Sequence, residues 1–423
     1  MAQRPRGTRD FGPAEMAGRN HLALVLRDTF ARYAYTEVQT PTFEELELFT
    51  AKSGEGIISE LYDFEDKGGR RLALRPELTA PVMRMYFQEH AFDAKPIKWF
   101  YFQSCFRYDR PQAGRYREFW QFGCEQIGAG TPLAYAELIA LADACLRTAG
   151  LQRFRLGVGH VGVLRHAVDA FAFDASTRAA FMRAIDKGDR AEMAKIAAAK
   201  GGGNAALDRL LLVMDATDAP AAKTAMQGAA DAEAELVELE QTLAALGHLG
   251  VPVRLDLGIA RGLDYYNGIV FEAHADALGA QSQVLGGGGY DLSAVFEGQP
   301  TPTMGFGLGF DRLLVALEQE GNILPAPLAP EVAFASLSDG ALSHVLAWAS
   351  ALRQSGVRVD VDAMGRKPSA VAKWADSLGA KYLVMVGDRD LESAKVSIKQ
   401  LSDGVAYEVS MGELVSWFGR HRT

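Results

Sequence analysis

Cysteine is scarce in this chain: Cys105, Cys124 and Cys145 are an odd three among 423 residues, and none forms a C-x-x-C pair. That excludes a disulfide framework and a cysteine-type zinc site. The eight histidines show no H-E-x-x-H or comparable ligand spacing, so no resident metal site is read from them. No apolar run approaches the roughly 18 residues that cross a bilayer, and MAQRPRGTRDF lacks the apolar stretch of an export signal. The expectation is a cytoplasmic protein with no membrane partner. Positive charge is also short. With 44 Lys and Arg against 53 Asp and Glu, the net charge of −9 excludes a chain that coats nucleic acid through bulk charge, and leaves room only for a local basic surface. Residues 331–423 hold 11 basic and 11 acidic residues, against 33 and 42 in the residues before them, so the C-terminal part is the less acidic.

What is present is a globular composition, 48% hydrophobic and 23% charged, in a chain too long for one ordinary core. Two or three domains are expected. The clearest boundary is GNILPAPLAP at 321–330, where three prolines stiffen the chain. Beyond it EVAFASLSD, VRVDVDA and YLVMVGD read as strands that alternate with two helical stretches, which predicts a small α/β domain with a parallel sheet over 331–423. The first 320 residues differ, because β-rich runs such as IKWFYFQSCFRY, GIVFEAHA and PTMGFGLGF lie far apart between helices. They predict an α+β domain, an antiparallel sheet flanked by helices, over 1–160 and 251–322. Residues 161–250 read as a helical insertion, broken by GGGN at 201–204. There Leu236, Leu239, Leu243 and Leu246 share one helical face that is expected to be core.

Five stretches carry residues suited to chemistry. In FRYDRPQAGRYREFWQFGCEQIG, Arg107, Arg110, Arg115 and Arg117 crowd a predicted hairpin, with Arg115, Arg117, Phe119 and Gln121 on one face. Guanidinium forks suit phosphate oxygens and an aromatic ring can stack on a base. The alternative is an exposed hairpin whose arginines pair with Asp109 and Glu118. ARGLDYYNGIVFEAHA sets Arg261, Asp264, Tyr265, Tyr266 and Asn267 before an apolar strand, as a polar pocket wall or as a Gly-rich turn. The run Gly286 to Gly289 matches no phosphate-loop pattern and reads as a flexible turn or a ligand cradle. In TPTMGFGLGFDRLL, Gly305, Gly307 and Gly309 leave one sheet face bare, open to a flat ligand, while Arg312 stands unfavourably in the first turn of a helix, as if held by an anion. Glu77 and Thr79 mark a strand-to-helix junction where Thr79 is expected to cap the helix, and where a ligand amine would find acceptors.

Taken in order, PRGTRDFGP, YTEVQTPTFE, LRPELTA, the arginine hairpin, ARGLDYYNGIVFE and GFGLGFDRLL resemble the histidyl-tRNA synthetases, a family of class II aminoacyl-tRNA synthetases. The resemblance covers nearly the whole chain, and KYLVMVGDRDLESAKVSIKQL resembles the anticodon-binding domain of that family. Pro41 takes the place of the motif 1 proline, the hairpin that of motif 2, and GFGLGFDRLL that of motif 3. Gly289 stands where bacterial members commonly carry arginine, and the sequence around it resembles the archaeal-type branch. The insertion, with LGVGHVGVLRH, is unlike the longer bacterial version and resembles that of a non-catalytic paralogue, the regulatory subunit of ATP phosphoribosyltransferase. In that paralogue the motif arginines are typically degraded, whereas here they are present.

The resemblance implies a class II catalytic fold and a histidine-tRNA ligase that uses ATP, accompanied by Mg²⁺, to activate L-histidine for tRNA-His. It also implies a homodimer built on motif 1. By the same resemblance Arg107 and Arg261 are catalytic, at the α-phosphate and between carboxylate and α-phosphate. Arg107, Arg115, Phe119 and Arg312 hold ATP. Glu77, Thr79 and Gln121 take the amino group of histidine, Arg261 its carboxylate, and Glu125 and Tyr266 its imidazole, with Tyr265 and Tyr290 lining the pocket.

Overall fold

The structure is a computed structural model that describes residues 2–53, 55–109, 115–199, 204–226, 232–260 and 266–421. Two compact units divide it, 1–325 and 326–423, and the break falls within the proline-rich segment.

The first unit begins with the helix Pro13–Arg32 and the short strand β1 (Thr36–Glu37). Strands β2 (Phe43–Glu45), β3 (Tyr62–Glu65) and β4 (Arg71–Leu74) make a small antiparallel sheet of order β2-β4-β3, and the helix Thr79–Met85 follows. The long hairpin strands β5 (Ile97–Phe106) and β6 (Glu118–Ile127) come next, then the helix Pro132–Thr148, β7 (Phe154–His160) and, among the described residues, six α-helices between Val161 and His248. Strands β8 (Arg254–Leu255), β9 (Tyr266–Ala275), β10 (Gln283–Tyr290) and β11 (Thr303–Gly309) complete an eight-stranded sheet of order β1-β5-β6-β11-β10-β9-β7-β8, and the helix Phe310–Gln319 leaves directly from β11. Pairing is antiparallel throughout except at the two-residue edge strands β1 and β8. The antiparallel α+β expectation therefore holds.

Alternation along the strands sets the two faces of this sheet. Even-numbered Phe100, Phe122, Cys124, Met304, Phe306 and Leu308 join the large core beneath the helices. Odd-numbered Trp99, Tyr101, Cys105, Phe119 and Ile127 face the other way, with Tyr266 and Tyr290. The helical block 161–250 has no separate core among the described residues: Val163, Phe181, Leu210 and Leu239 belong to the cluster that contains Phe122 and Phe271 of the sheet. The leucine face lies on the helix Glu233–His248, where Leu236, Leu239 and Leu246 are buried and Leu243 packs against the same core. Residues 201–203 of the glycine break lie outside the described residues.

The four-glycine run is not a surface turn. It is the middle of β10, hydrogen-bonded between β9 and β11 and buried. Glycine is required there by room, because a Cβ at Gly287 would meet Gly305 O at 2.3 Å and Phe306 Cβ at 2.5 Å.

In the second unit, β12 (Val332–Ser336), β13 (Val359–Val361), β14 (Tyr382–Val386), β15 (Lys395–Gln400) and β16 (Ala406–Ser410) form a sheet of order β13-β12-β14-β15-β16. The α/β reading stands, but the sheet is mixed and not purely parallel: β13, β12 and β14 run parallel, and β15 and β16 antiparallel. Connection length decides this. The links 387–394 and 401–405 are shorter than the ten or more residues a parallel crossover needs. Among the described residues no helix is long and apolar enough to cross a membrane.

Two glycine substitutions should separate packing from backbone entropy. Gly287→Ala is expected to cost about 2 kcal/mol or more through overpacking. Gly247→Ala, in the exposed part of a helix where an added Cβ meets nothing within 4 Å, is expected to gain about 1 kcal/mol. Urea midpoints of the two variants against the parent read both signs.

Candidate active site

A cavity of about 390 Å³ opens on the odd-numbered face of the sheet, and its lining includes Glu77, Thr79, Arg107, Arg115, Phe119, Gln121, Tyr266 and Arg312. These come from four separated stretches, so the fold brings together eight of the candidate residues. Glu125 and Tyr290 are buried behind the lining at 1% and 2% exposure. Arg261 and Tyr265 lie outside the described residues, as do Arg110 and Asp264.

The bare face of β11 exists for side chains of its neighbour. A Cβ at Gly305 would stand 2.0 Å from Glu125 Oε2, and one at Gly307 would stand 1.9 Å from Gln121 Nε2. The space expected to receive a flat ligand is occupied by the two β6 side chains proposed to read histidine. Gly123 repeats the device on β6. A Cβ there would come within 2.5 Å of the Tyr101 ring, which crosses the strand so that its hydroxyl can donate to Glu125 Oε1 at 3.0 Å. Tyr290 donates to the other carboxylate oxygen at 2.5 Å. Tyr266 pairs with Tyr290 across β9 and β10, and the rings meet edge to face at 6.4 Å.

Burial pushes the Glu125 carboxyl up to about 8, against hydroxyl donors from Tyr290, Thr79 and Tyr101 that pull the other way, and Glu77 adds to the rise. Glu77 is also raised, mainly by desolvation. It is Glu77, not Thr79, that caps the helix Thr79–Met85. Its carboxylate accepts from Thr79 N at 2.6 Å and Ala80 N at 3.1 Å, while Thr79 is itself the first helical residue. The longer side chain reaches back over the open amides, which frees the Thr79 hydroxyl to face Glu125.

Arg107 extends from the end of β5, with its Nε donating to Pro76 O at 2.8 Å and its guanidinium carbon 5.2 Å from the Phe119 ring centroid. Arg312, in the first turn of its helix, has a depressed pKa, first from burial and then from the positive charge of Arg115. Two guanidinium groups that line one cavity suit an anion there. Arg117 does not join them. It lies against the Tyr108 ring at 4.0 Å and donates to the carbonyl oxygens of Asp109 and Arg6. Alternation fails there because β6 begins only at Glu118, so 115 and 117 are not strand neighbours.

Several residues of the site carried no clear signal in the sequence. Tyr101 shares its face with Cys105 and could have been found by alternation. Asp311 is buried at 3% and joins Arg19 Nη1 at 2.6 Å and Trp120 N at 2.7 Å. Arg75 is buried at 4% and donates to the carbonyls of Thr40, Pro41 and Ser104, which fastens the motif 1 proline beside β5. Among the described residues no group of three His, Cys, Asp or Glu could hold a metal ion.

A family model described as histidyl-tRNA synthetase matches residues 7–313, and one described as an anticodon binding domain matches residues 331–421. The chain is 44% identical over 414 residues to the histidine–tRNA ligase of Archaeoglobus fulgidus, with 98% of each chain covered. It is 43% identical to that of Methanocorpusculum labreanum, again over 98% of each. Among solved structures it resembles apo histidyl-tRNA synthetase of S. aureus, with a TM-score of 0.74, 28% identity, and coverage of 99% of this chain and 100% of that one.

The buried carboxyl group makes a stability prediction. Below pH 4.5 Glu125 is protonated in both the folded and unfolded states and costs nothing. As pH rises towards about 8 the unfolded chain ionises while the folded one keeps its proton, so stability is lost across that window. Glu125→Gln lacks this loss. Its stability relative to the parent should therefore improve from pH 5 to pH 9 by up to a few kcal/mol, read as the difference in melting temperature at each pH.

Proposed function

The chain belongs to the histidyl-tRNA synthetase family, and from that premise we propose how its own residues divide the work of a histidine–tRNA ligase. The activity joins L-histidine to tRNA-His in two steps at the expense of ATP. The observation that carries the residue assignment is that one cavity collects the acceptors Glu77, Thr79 and Gln121 together with the guanidinium groups of Arg107, Arg115 and Arg312.

In this reading Glu77, Thr79 and Gln121 hold the α-amino group, while Glu125 and Tyr266 take the two imidazole nitrogens and Tyr265 and Tyr290 close the pocket. A site that hydrogen-bonds both ring nitrogens rejects apolar side chains of similar size by about 10⁴ or more, because its buried groups would be left unpaired. Phe119 stacks on adenine. Arg107 grips the α-phosphate, and Arg115 and Arg312 the outer phosphates. ATP arrives as its magnesium complex, with the metal as part of the substrate. Arg261 bridges the histidine carboxylate and the α-phosphate. One carboxylate oxygen attacks the α-phosphorus, pyrophosphate leaves, and the charge that builds on the pentavalent centre is met by Arg107 and Arg261. No protein base is required, since the carboxylate is already ionised near neutral pH. A ribose hydroxyl at the 3′ end of the tRNA then attacks the acyl carbon, and AMP leaves. Retention of both Arg107 and Arg312 in the cavity lining favours this reading over a sensor that binds histidine without activating it.

Domain limits of 1–160 with 251–322, 161–250 and 331–423 belong to the same proposal, as do a cytoplasmic location and a homodimer formed through the motif 1 segment.

Histidine-dependent exchange of pyrophosphate into ATP tests the assignment. Arg107→Ala, Arg261→Ala and Arg312→Ala should each lower kcat/KM about 10²–10³-fold while equilibrium binding of histidine alone stays close to that of the parent. Exchange near the parental rate in Arg261→Ala would remove that residue from the mechanism. In light scattering at micromolar concentration the chain should show twice its 45.8 kDa, and a monomer would contradict the dimer.

A further inference from the structure

PRGTRDFGP opens the series of family motifs, yet no step of histidine or ATP handling described above uses it. In the fold this segment lies against both arms of the triphosphate site. Gly7 O accepts from Arg117 N at 2.8 Å, and Arg6 O accepts from Arg117 Nη1 at 3.4 Å. Arg9 Nη1 donates to Tyr116 Oη at 2.9 Å, with its guanidinium carbon 4.8 Å from the centre of that ring. Arg9 Nη2 meets Glu15 at 2.7 Å. The Phe11 ring also bears both guanidinium groups, with Arg9 Cζ at 4.9 Å and Arg19 Cζ at 4.0 Å from its centroid. Arg19 in turn forms the buried ion pair with Asp311 whose second oxygen takes Trp120 N.

The two residues anchored in this way are chain neighbours of two arginines that line the cavity. Tyr116 follows Arg115, and Asp311 precedes Arg312. We propose that Arg9, Phe11 and Arg19 are positioning residues for the triphosphate. They fasten motif 2 and motif 3 to one N-terminal segment and so keep Arg115 and Arg312 side by side before ATP enters. The inference rests on the assignment of the outer phosphates to those two arginines.

The physical reason is preorganisation. Two cationic side chains on separate stretches of chain face one cavity only while the backbone that carries them is restrained, and a site that must gather its own donors spends binding free energy doing so. Without the anchor, ATP has to bring the arginines together itself. The loss should then fall on ATP and not on histidine, because Glu77 is held by the amides of Thr79 and Ala80, and Gln121 Oε1 accepts from Cys105 Sγ at 3.7 Å, none of which involves the N-terminal segment.

The test uses the full chain in pyrophosphate exchange, with Arg9→Ala, Tyr116→Phe and the double variant, alongside calorimetric binding of histidine without ATP and melting temperatures. Each single substitution should raise the KM for ATP about tenfold, as loss of one charge-assisted hydrogen bond would. The double variant should be no worse than the more severe single, since both remove the same bond. Histidine affinity should be unchanged. If Arg9→Ala does not fold, Arg9→Lys and Tyr116→Phe carry the same comparison. An unchanged KM for ATP, additive effects in the double variant, or histidine affinity falling in step with ATP would each overturn the proposal. Arg312→Ala separates the two levels: if it raises the KM for ATP while Arg9→Ala does not, the site assignment stands and the positioning role falls, and if neither does, both fall.

Discussion

The buried ion pair of Arg19 with Asp311, whose second oxygen accepts from Trp120 N, is the interaction on which the cationic side of the cavity depends. It fixes the start of the helix whose next residue, Arg312, has its proton affinity lowered first by burial and then by Arg115. A cation that loses part of its hydration in this way is held in place by the packing around it. Here the restraint comes from three directions. The helix that carries Arg312 starts directly at the end of β11, Asp311 is locked between Arg19 and Trp120, and the Arg115 arm is tied through Tyr116 to Arg9.

A second constraint, of room, builds the other half of the cavity. Strands in a sheet stand about 4.8 Å apart, which is too close for long polar side chains on both neighbours to lie over the same spot. Gly305, Gly307 and Gly123 give up their side chains so that Glu125, Gln121 and Tyr101 can lie across them. The result is a buried carboxyl group enclosed by tyrosine hydroxyls, with its proton affinity raised by burial. It lies behind a cavity whose lining carries Glu77, Gln121 and the guanidinium groups of Arg107, Arg115 and Arg312.

Much of this was legible in the sequence because short motifs carry local chemistry. The guanidinium groups, the Gly-rich strand, the Glu77–Thr79 junction and the proline-rich boundary could all be read without a fold. What escaped reading was non-local. The glycines of β11 announced a bare face, but its occupants sit on β6, and only the register of the sheet shows that Glu125 and Gln121 fill it. The four-glycine run reads as a turn or a ligand cradle because composition does not distinguish a flexible loop from a strand whose neighbours need its space. Arg117 was grouped with Arg115 because alternation was extended beyond the end of the strand. Arg9 acts on Tyr116 across 107 residues of chain, a partnership no periodicity predicts. The C-terminal sheet reads as parallel from its first three strands, and the two antiparallel strands that make it mixed, β15 and β16, carry no signal in that reading.

In the proposed division of labour, one cluster of guanidinium groups receives the triphosphate beside the imidazole pocket. The most direct measurement is a crystal structure of the protein with histidine and a non-hydrolysable ATP analogue. The account predicts phosphate oxygens within hydrogen-bond distance of Arg107, Arg115 and Arg312, histidine seated between Glu77 and Tyr266, and side chains little moved from their present positions. Phosphates bound elsewhere on the surface, or arginines that reach them only after motif 2 and motif 3 have come apart, would contradict it.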